Sequence, residues 1–335
     1  VSAFEISGAY RRLGWIGAGV LVLAAAGMLA PVMGLIGSIT PTVDPLWPML
    51  RSVEEAPEQV DYQGRIVLTS FYRETFETRV AINHRAGGRD QYRLEGWRRG
   101  EGEWTAPTDP TREFRFPQRR RISRPVLDSQ LAARNYRLEE MAGESVAGRP
   151  AYVLEMRPHQ AGRPSYRLWI DQSLGLALGL ETRDGAGKPI ARWMFESLEL
   201  GAADWGEAGA GPRSAPLSLE ELLERRPFSL WLPQRLPSGY AFHRARVHGP
   251  AGRGGVTVGY TDGMNVISII QRNQEGAGWK LQEARSADGK PLVHRWSSNG
   301  ISVLNVRLGQ AFVTVVGHEE AGVLTDMVRS MMEHP

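Results

Sequence analysis

Cysteine is absent from this 335-residue chain. That excludes disulfide bonds, thiolate metal sites, a cysteine nucleophile and the lipidated cysteine of a bacterial lipoprotein. Lysine is nearly absent as well. Lys188, Lys280 and Lys290 are the three, and subtracting them from 40 basic residues leaves 37 arginines. A GC-rich genome accounts for such a bias; an arginine surface suited to carboxylates or phosphates is the other reading. The formal net charge is only +3, which gives no argument for nucleic-acid binding. Histidines stand at 84, 159, 243, 248, 294, 318 and 334, and no two share a metal-type spacing with a carboxylate. His243 and His248, five apart, point to opposite faces of a strand. There is no G-x-S-x-G elbow, no Walker loop and no dinucleotide fingerprint after a strand. No catalytic residue, metal site or cofactor is assigned, and the chain reads as a binding protein, not an enzyme.

A long apolar run occurs once, from Trp15 to Ile39, with no charge over 25 residues. A spanning helix needs about 20 residues, whereas a cleaved signal has an apolar core of about 7–15. Arg11 and Arg12 precede the run and Asp44 is the first charge after it. The positive-inside rule then leaves the N-terminus in the cytoplasm and residues 41–335 outside. An uncleaved membrane anchor through residues 15–39 is the leading expectation, with a long signal peptide and a buried soluble helix as alternatives. The expected localisation is the cell membrane, single-pass, with the bulk of the chain periplasmic or otherwise extracytoplasmic.

The exported part is mainly β. A short helix is expected around Leu46 to Glu55, then strands over Tyr62–Tyr72, from Phe76 to Ile82, and at Tyr92 and Leu94, where apolar and polar residues alternate with period two. Phe114 and Phe116 suggest a short strand, and Leu127 to Asn135 a helix. Further strands are expected at Ala151–Arg157, Ser165–Asp171 and Ile190–Leu198, with Asp184-Gly185 turning the chain between the last two. Residues 201–217 are rich in Gly, Ala and Pro and mark a boundary. Ser218 and Glu221 make a capping-box pattern. Beyond it, strands are expected at Val256–Tyr260, Met264–Arg272, Ile301–Leu308 and Ala311–Gly317. A closing helix should bury Leu324, Met327, Val328 and Met331. The expected organisation is a stub and anchor over 1–40, a first domain over 41–200, a linker with a short helix over 201–226, and a sheet-plus-helix domain over 227–335.

Two features have both a plain and a functional reading. The arginines Arg119, Arg120, Arg121 and Arg124 form a solvated loop or a patch for an anion or acidic partner. Trp97, Trp104, Trp169 and Trp193 pack a core or line an apolar pocket.

Residues Gly143–Pro158 (GESVAGRPAYVLEMRP), Tyr166–Asp171 (YRLWID), Gly175–Leu178 (GLAL) and Phe195 together resemble the RseB/MucB family of sigma-factor regulators. Tyr62–Val67, His84-Arg85, Leu232-Pro233, Leu236–Tyr240 (LPSGY) and Tyr260–Met264 (YTDGM) fall in the order that family shows, so the resemblance covers about 46–335. It implies a fold: a large domain similar to the carriers LolA and LolB, an unclosed β-barrel wrapped round helices, and a smaller antiparallel sheet with a helix. It implies a function: negative regulation of an envelope-stress sigma factor, by binding the extracytoplasmic part of a membrane anti-sigma factor and shielding it from proteolysis. A lipid or misplaced envelope component would release it, and a lipid or lipoprotein is the ligand the resemblance allows. A membrane-tethered lipid or lipoprotein carrier or sensor is the alternative. If an apolar cavity exists, Ile66, Leu68, Val80, Ile82, Leu168 and Trp193 are its candidate lining.

Overall fold

The computed structural model describes residues 45–333 except 72–73, 89, 109–124, 206–214, 226–227, 250–253, 274–293 and 299–300. The expected anchor at 15–39, the short strand at Phe114 and Phe116, and the arginines at 119–124 lie outside the described residues. Among the described residues, no helix is long and apolar enough to cross a membrane.

Helix α1 (Trp47–Glu55) starts with Pro48 in its first turn, where a missing N–H costs no helical bond. It buries Leu50 and Val53, three apart on one face, and runs into a 3-10 turn, Ala56–Glu58. Strands β1 (Tyr62–Ser70), β2 (Phe76–His84) and β3 (Gln91–Arg99) follow as a meander. Helix α2 (Ser129–Asn135) begins two residues later than the periodicity suggests. Asp128 stands outside it and caps it, accepting from the Leu131 N–H at 2.8 Å. Five more strands complete the sheet: β4 (Tyr136–Val146), β5 (Arg149–Pro158), β6 (Ser165–Asp171), β7 (Ala177–Arg183) and β8 (Pro189–Leu200).

These eight strands form one antiparallel sheet in the order β3-β2-β1-β8-β7-β6-β5-β4, so β3 and β4 are its edges and the sheet is open. Its inner face carries Ile66, Val80, Phe195, Trp193, Leu180 and Leu168, aligned strand to strand by the register. Leu50, Val53 and Ala132 from the two helices join the same core.

Helix α3 (Leu219–Arg225) has the reciprocal cap that its sequence predicts. The Ser218 N–H donates to Glu221 at 2.7 Å, and the Glu221 N–H donates to the Ser218 hydroxyl at 3.1 Å. Six strands make a second antiparallel sheet: β9 (Ala241–His248), β10 (Gly255–Thr261), β11 (Val266–Asn273), β12 (His294–Ser298), β13 (Ile301–Leu308) and β14 (Ala311–Gly317). Their order is β12-β13-β14-β11-β10-β9. Helix α4 (Ala321–Met332) covers this sheet, with Leu324, Met327, Val328 and Met331 all buried in a separate core. The spacing i, i+3, i+4, i+7 puts those four on one stripe.

Two strand expectations in the first sheet need correction, and β9 and β12 of the second sheet were not expected. The Asp184-Gly185 turn joins β7 to β8, not β6 to β8, because β7 lies between. Strand β4 was not expected either; it is an edge strand rich in glutamate, with Leu138 and Met141 too widely spaced to read as alternation.

Candidate functional site

The loop between β10 and β11 builds itself from polar contacts. Asp262 Oδ1 accepts from the N–H groups of Met264 and Asn265 at 2.9 and 2.7 Å. The Thr261 hydroxyl donates to the Asn265 carbonyl at 2.6 Å and accepts from the Gly263 N–H at 3.0 Å. This loop presses on the start of α2, where the N–H groups of Leu127 and Asp128 donate to the Gly263 carbonyl at 2.8 and 3.3 Å. Gly263 has φ +101°, and a Cβ there would lie 2.3 Å from the Ala132 nitrogen. Both the backbone conformation and the close approach require glycine. Met264 is buried in the first core although its chain position belongs to the second sheet.

Side chains complete the junction between the sheets. The Tyr136 hydroxyl donates to Asp262 Oδ2 at 2.7 Å, and the Asn135 amide donates to the carbonyls of Gly239 and Asp262, each at 2.8 Å. Arg163, between β5 and β6, donates to the Ser238 carbonyl at 2.6 Å and lies 3.4 Å from Glu319. Its guanidinium sits 5.1 Å from the Tyr240 ring centroid, and the Tyr240 hydroxyl donates to Glu319 at 2.8 Å. Arg163 and Glu319 are 6% and 4% exposed. Burial raises the Glu319 carboxyl above the usual carboxylate range, outweighing the pull of Arg163 and Tyr240. Burial likewise pushes the Tyr136 and Tyr240 phenols well above their ordinary value.

A second constellation joins two of the sequence motifs. Arg149 of the GESVAGRP segment forms a charge-assisted hydrogen bond to Asp171, the last residue of YRLWID. Asp171 Oδ1 also accepts from the Ser173 hydroxyl at 2.8 Å and from the Ser173 and Leu174 N–H groups, both at 2.9 Å. Burial acts to raise the Asp171 carboxyl, but these donors, Arg149 first, hold it below its ordinary value. The pair fixes the turn that leads from β6 into β7.

The six residues expected to line a cavity share the inner face of the first sheet. Ile66, Val80, Ile82 and Leu168 are fully buried, Trp193 is buried, and Leu68 is half-buried against them. They pack in a core with α1 and α2. Trp169 is buried in the same cluster and donates its indole N–H to Glu144 at 2.9 Å, and Trp104 lies over Arg79 and Arg98 on the outer face. The junction residues Tyr136, Arg163 and Glu319 were not singled out in the sequence. The signal that points to them is YTDGM together with LPSGY, two motifs with a turn glycine and an aromatic that meet at this one place.

An open eight-stranded sheet over two helices is joined to a smaller sheet and helix, with the motif arginine and aspartate in contact. Residues 111–222 match the MucB/RseB N-terminal domain. A curated relative is the sigma factor AlgU regulatory protein MucB of Pseudomonas aeruginosa, 30% identical over 197 residues. That match takes in 54% of this chain and 56% of MucB, so it spans little more than half the relative's length. Among solved structures, MucB in complex with MucA(peri) is similar in fold, with a TM-score of 0.52 and 21% identity over 84% of this chain and 97% of that one. The Pseudomonas aeruginosa MucA/MucB complex gives a TM-score of 0.52 and 20% identity over 85% and 97%.

Proposed function

We propose that this chain is a non-enzymatic, extracytoplasmic regulator that binds a membrane anti-sigma factor and shields it from regulated proteolysis. The observation that carries the reading is the fold shared with nearly the whole of a MucB chain that was solved with MucA(peri), together with the family's N-terminal domain at residues 111–222. In this reading residues 41–200 and 227–335 are two domains joined by 201–226. Residues 15–39 hold them at the membrane, which raises the effective concentration of a membrane partner. A lipid or lipoprotein ligand that reaches the face bearing Ile66 and Leu168 has to displace α1 and α2, which pack on that face.

The test is affinity capture of the full chain from a membrane extract, followed by protein and lipid mass spectrometry and by protease protection of the captured partner. The expected result is a single-span anti-sigma factor that this chain makes resistant to cleavage. A stoichiometric lipid with no anti-sigma factor would overturn the regulator in favour of a carrier.

A further inference from the structure

The outer face of the first sheet, opposite the core, holds a cleft of about 430 Å³ lined by Val67, Thr69, Glu77, Arg79, Arg98, Trp104, Arg192, Met194 and Glu196. We propose that this cleft binds the carboxylate of an acidic peptide segment, with Arg192 as the receiving cation and Val67 and Met194 as the apolar surface beside it. The proposal does not rest on the partner suggested above, because its ligand chemistry is read from the cleft alone.

The register sets out this face as two rows, which extend past the cleft lining at their ends. One runs Gly96, Arg79, Val67, Met194, Gly179; the next runs Arg98, Glu77, Thr69, Arg192, Glu181. Period-two alternation puts all of these on the outer face. Three arginines and two glutamates line the cleft, an excess of one positive charge. Most of the charges are matched locally. Arg98 binds Glu77 at 2.5 Å, which also accepts the Thr69 hydroxyl at 3.3 Å, and Arg79 binds Glu196 at 2.8 Å. Arg192 is the most loosely matched of the three, held by a single long ion pair. Its neighbour Glu181 is held by Arg183 at 2.8 Å and lies 4.0 Å from Arg192, which otherwise leans on the Phe71 ring. A guanidinium presents a planar fork of donors, and a bidentate carboxylate is the ligand that satisfies it. Arg79 adds a buried Nε with no hydrogen-bond partner among the described residues.

Trp104 makes this a walled site. The segment after β3 folds back so that Thr105 and Trp97 exchange backbone hydrogen bonds at 3.0 and 2.8 Å. A Cβ on Gly96 would lie 2.9 Å from the Thr105 carbonyl oxygen, so glycine admits the strap. The Trp104 ring then stacks on the guanidinium groups of Arg79 and Arg98, 4.0 and 4.7 Å from its centroid. Cation–π contacts of this kind orient both guanidiniums at the cleft wall.

The experiment is isothermal titration calorimetry of the full chain in detergent with two probes: an acetylated, amidated tetraglutamate peptide and glutarate, a free dicarboxylate. The expected result is saturable binding of the peptide that weakens with salt. Arg192→Gln should reduce affinity by about tenfold or more, the scale of one lost charge-assisted hydrogen bond. Arg157→Gln, a same-face arginine outside the cleft, should bind like the parent. Met194→Glu, which adds a carboxylate to the cleft, should abolish binding with the thermal transition retained. No saturable heat with the peptide, or parental affinity in a folded Arg192→Gln, overturns the proposal. Binding of glutarate without the peptide overturns the peptide assignment in favour of a small dicarboxylate.

Discussion

The phenol of Tyr136, at the start of β4, donates a 2.7 Å hydrogen bond to the carboxylate of Asp262 in the β10–β11 loop, 126 residues away. Both residues are almost wholly buried, so water cannot replace the bond when it is lost. Tyr136→Phe should lower the stability of the chain by about 1–3 kcal/mol. A double-mutant cycle with Asp262→Asn, read by urea unfolding, should show coupling between the two positions. Additive effects would mean that the contact contributes nothing of its own.

Gly263→Ala should be more damaging than most surface alanine substitutions. Its positive φ alone costs on the order of 1–3 kcal/mol for a residue with a Cβ, and the methyl would meet the backbone of Ala132. Thermal unfolding should show a clear drop in midpoint. An unchanged midpoint would mean that the loop and α2 are not in contact in solution.

Glu319 and Asp171 should give pH dependences of opposite sign. The folded-state pKa of Glu319 lies above its ordinary 4.5. The stability this group contributes is therefore fully present below 4.5 and is lost as pH rises through the folded value. Asp171 is held below its ordinary 3.8. Its contribution is present above 3.8 and is lost as pH falls through the lowered value. Stability against pH should lose its near-acid rise in Glu319→Gln, and Arg149→Ala should bring the acid limb to higher pH. Superimposable curves for parent and variants would contradict both assignments.

Leu168→Ala separates a packed core from a ligand cavity. Leu168 is fully buried among Leu154, Leu180 and Tyr166 on the inner face. Truncating a packed leucine costs about 2–5 kcal/mol. Chemical denaturation should show a loss of that size. A loss below about 1 kcal/mol would mean that the side chain already borders open space.

Much of the fold is readable from the sequence because alternation and caps are local. The bounds of β6, β13 and β14 follow the pattern directly, and Ser218 with Glu221 forms the cap its spacing suggests. Strand β7 hides because six of its seven residues are buried, Gly179 and Glu181 among them, so it has no polar face to alternate with. Strands β9 and β12 hide for a different reason: arginine and histidine recur along them where a half-buried strand would show aliphatic residues. The junction was still less accessible. Arg163 and Glu319 stand 156 positions apart, and each reads as an ordinary surface charge until the fold buries them together. Trp104 is similar, since only the backbone exchange between Trp97 and Thr105 brings it over the arginines.

The burial of Met264 within the first core bears on how such genes can recombine. A crossover in the 201–226 stretch would separate Tyr136, Asn135 and Arg163 from the loops they grip. It would also leave an apolar socket in one parent's half to be filled by the other parent's methionine. Viable chimeras therefore have to inherit residues 127–136 and 163 from the same parent as 238–240, 261–265 and 319. The two halves are heritable as a pair, however separable they look along the chain.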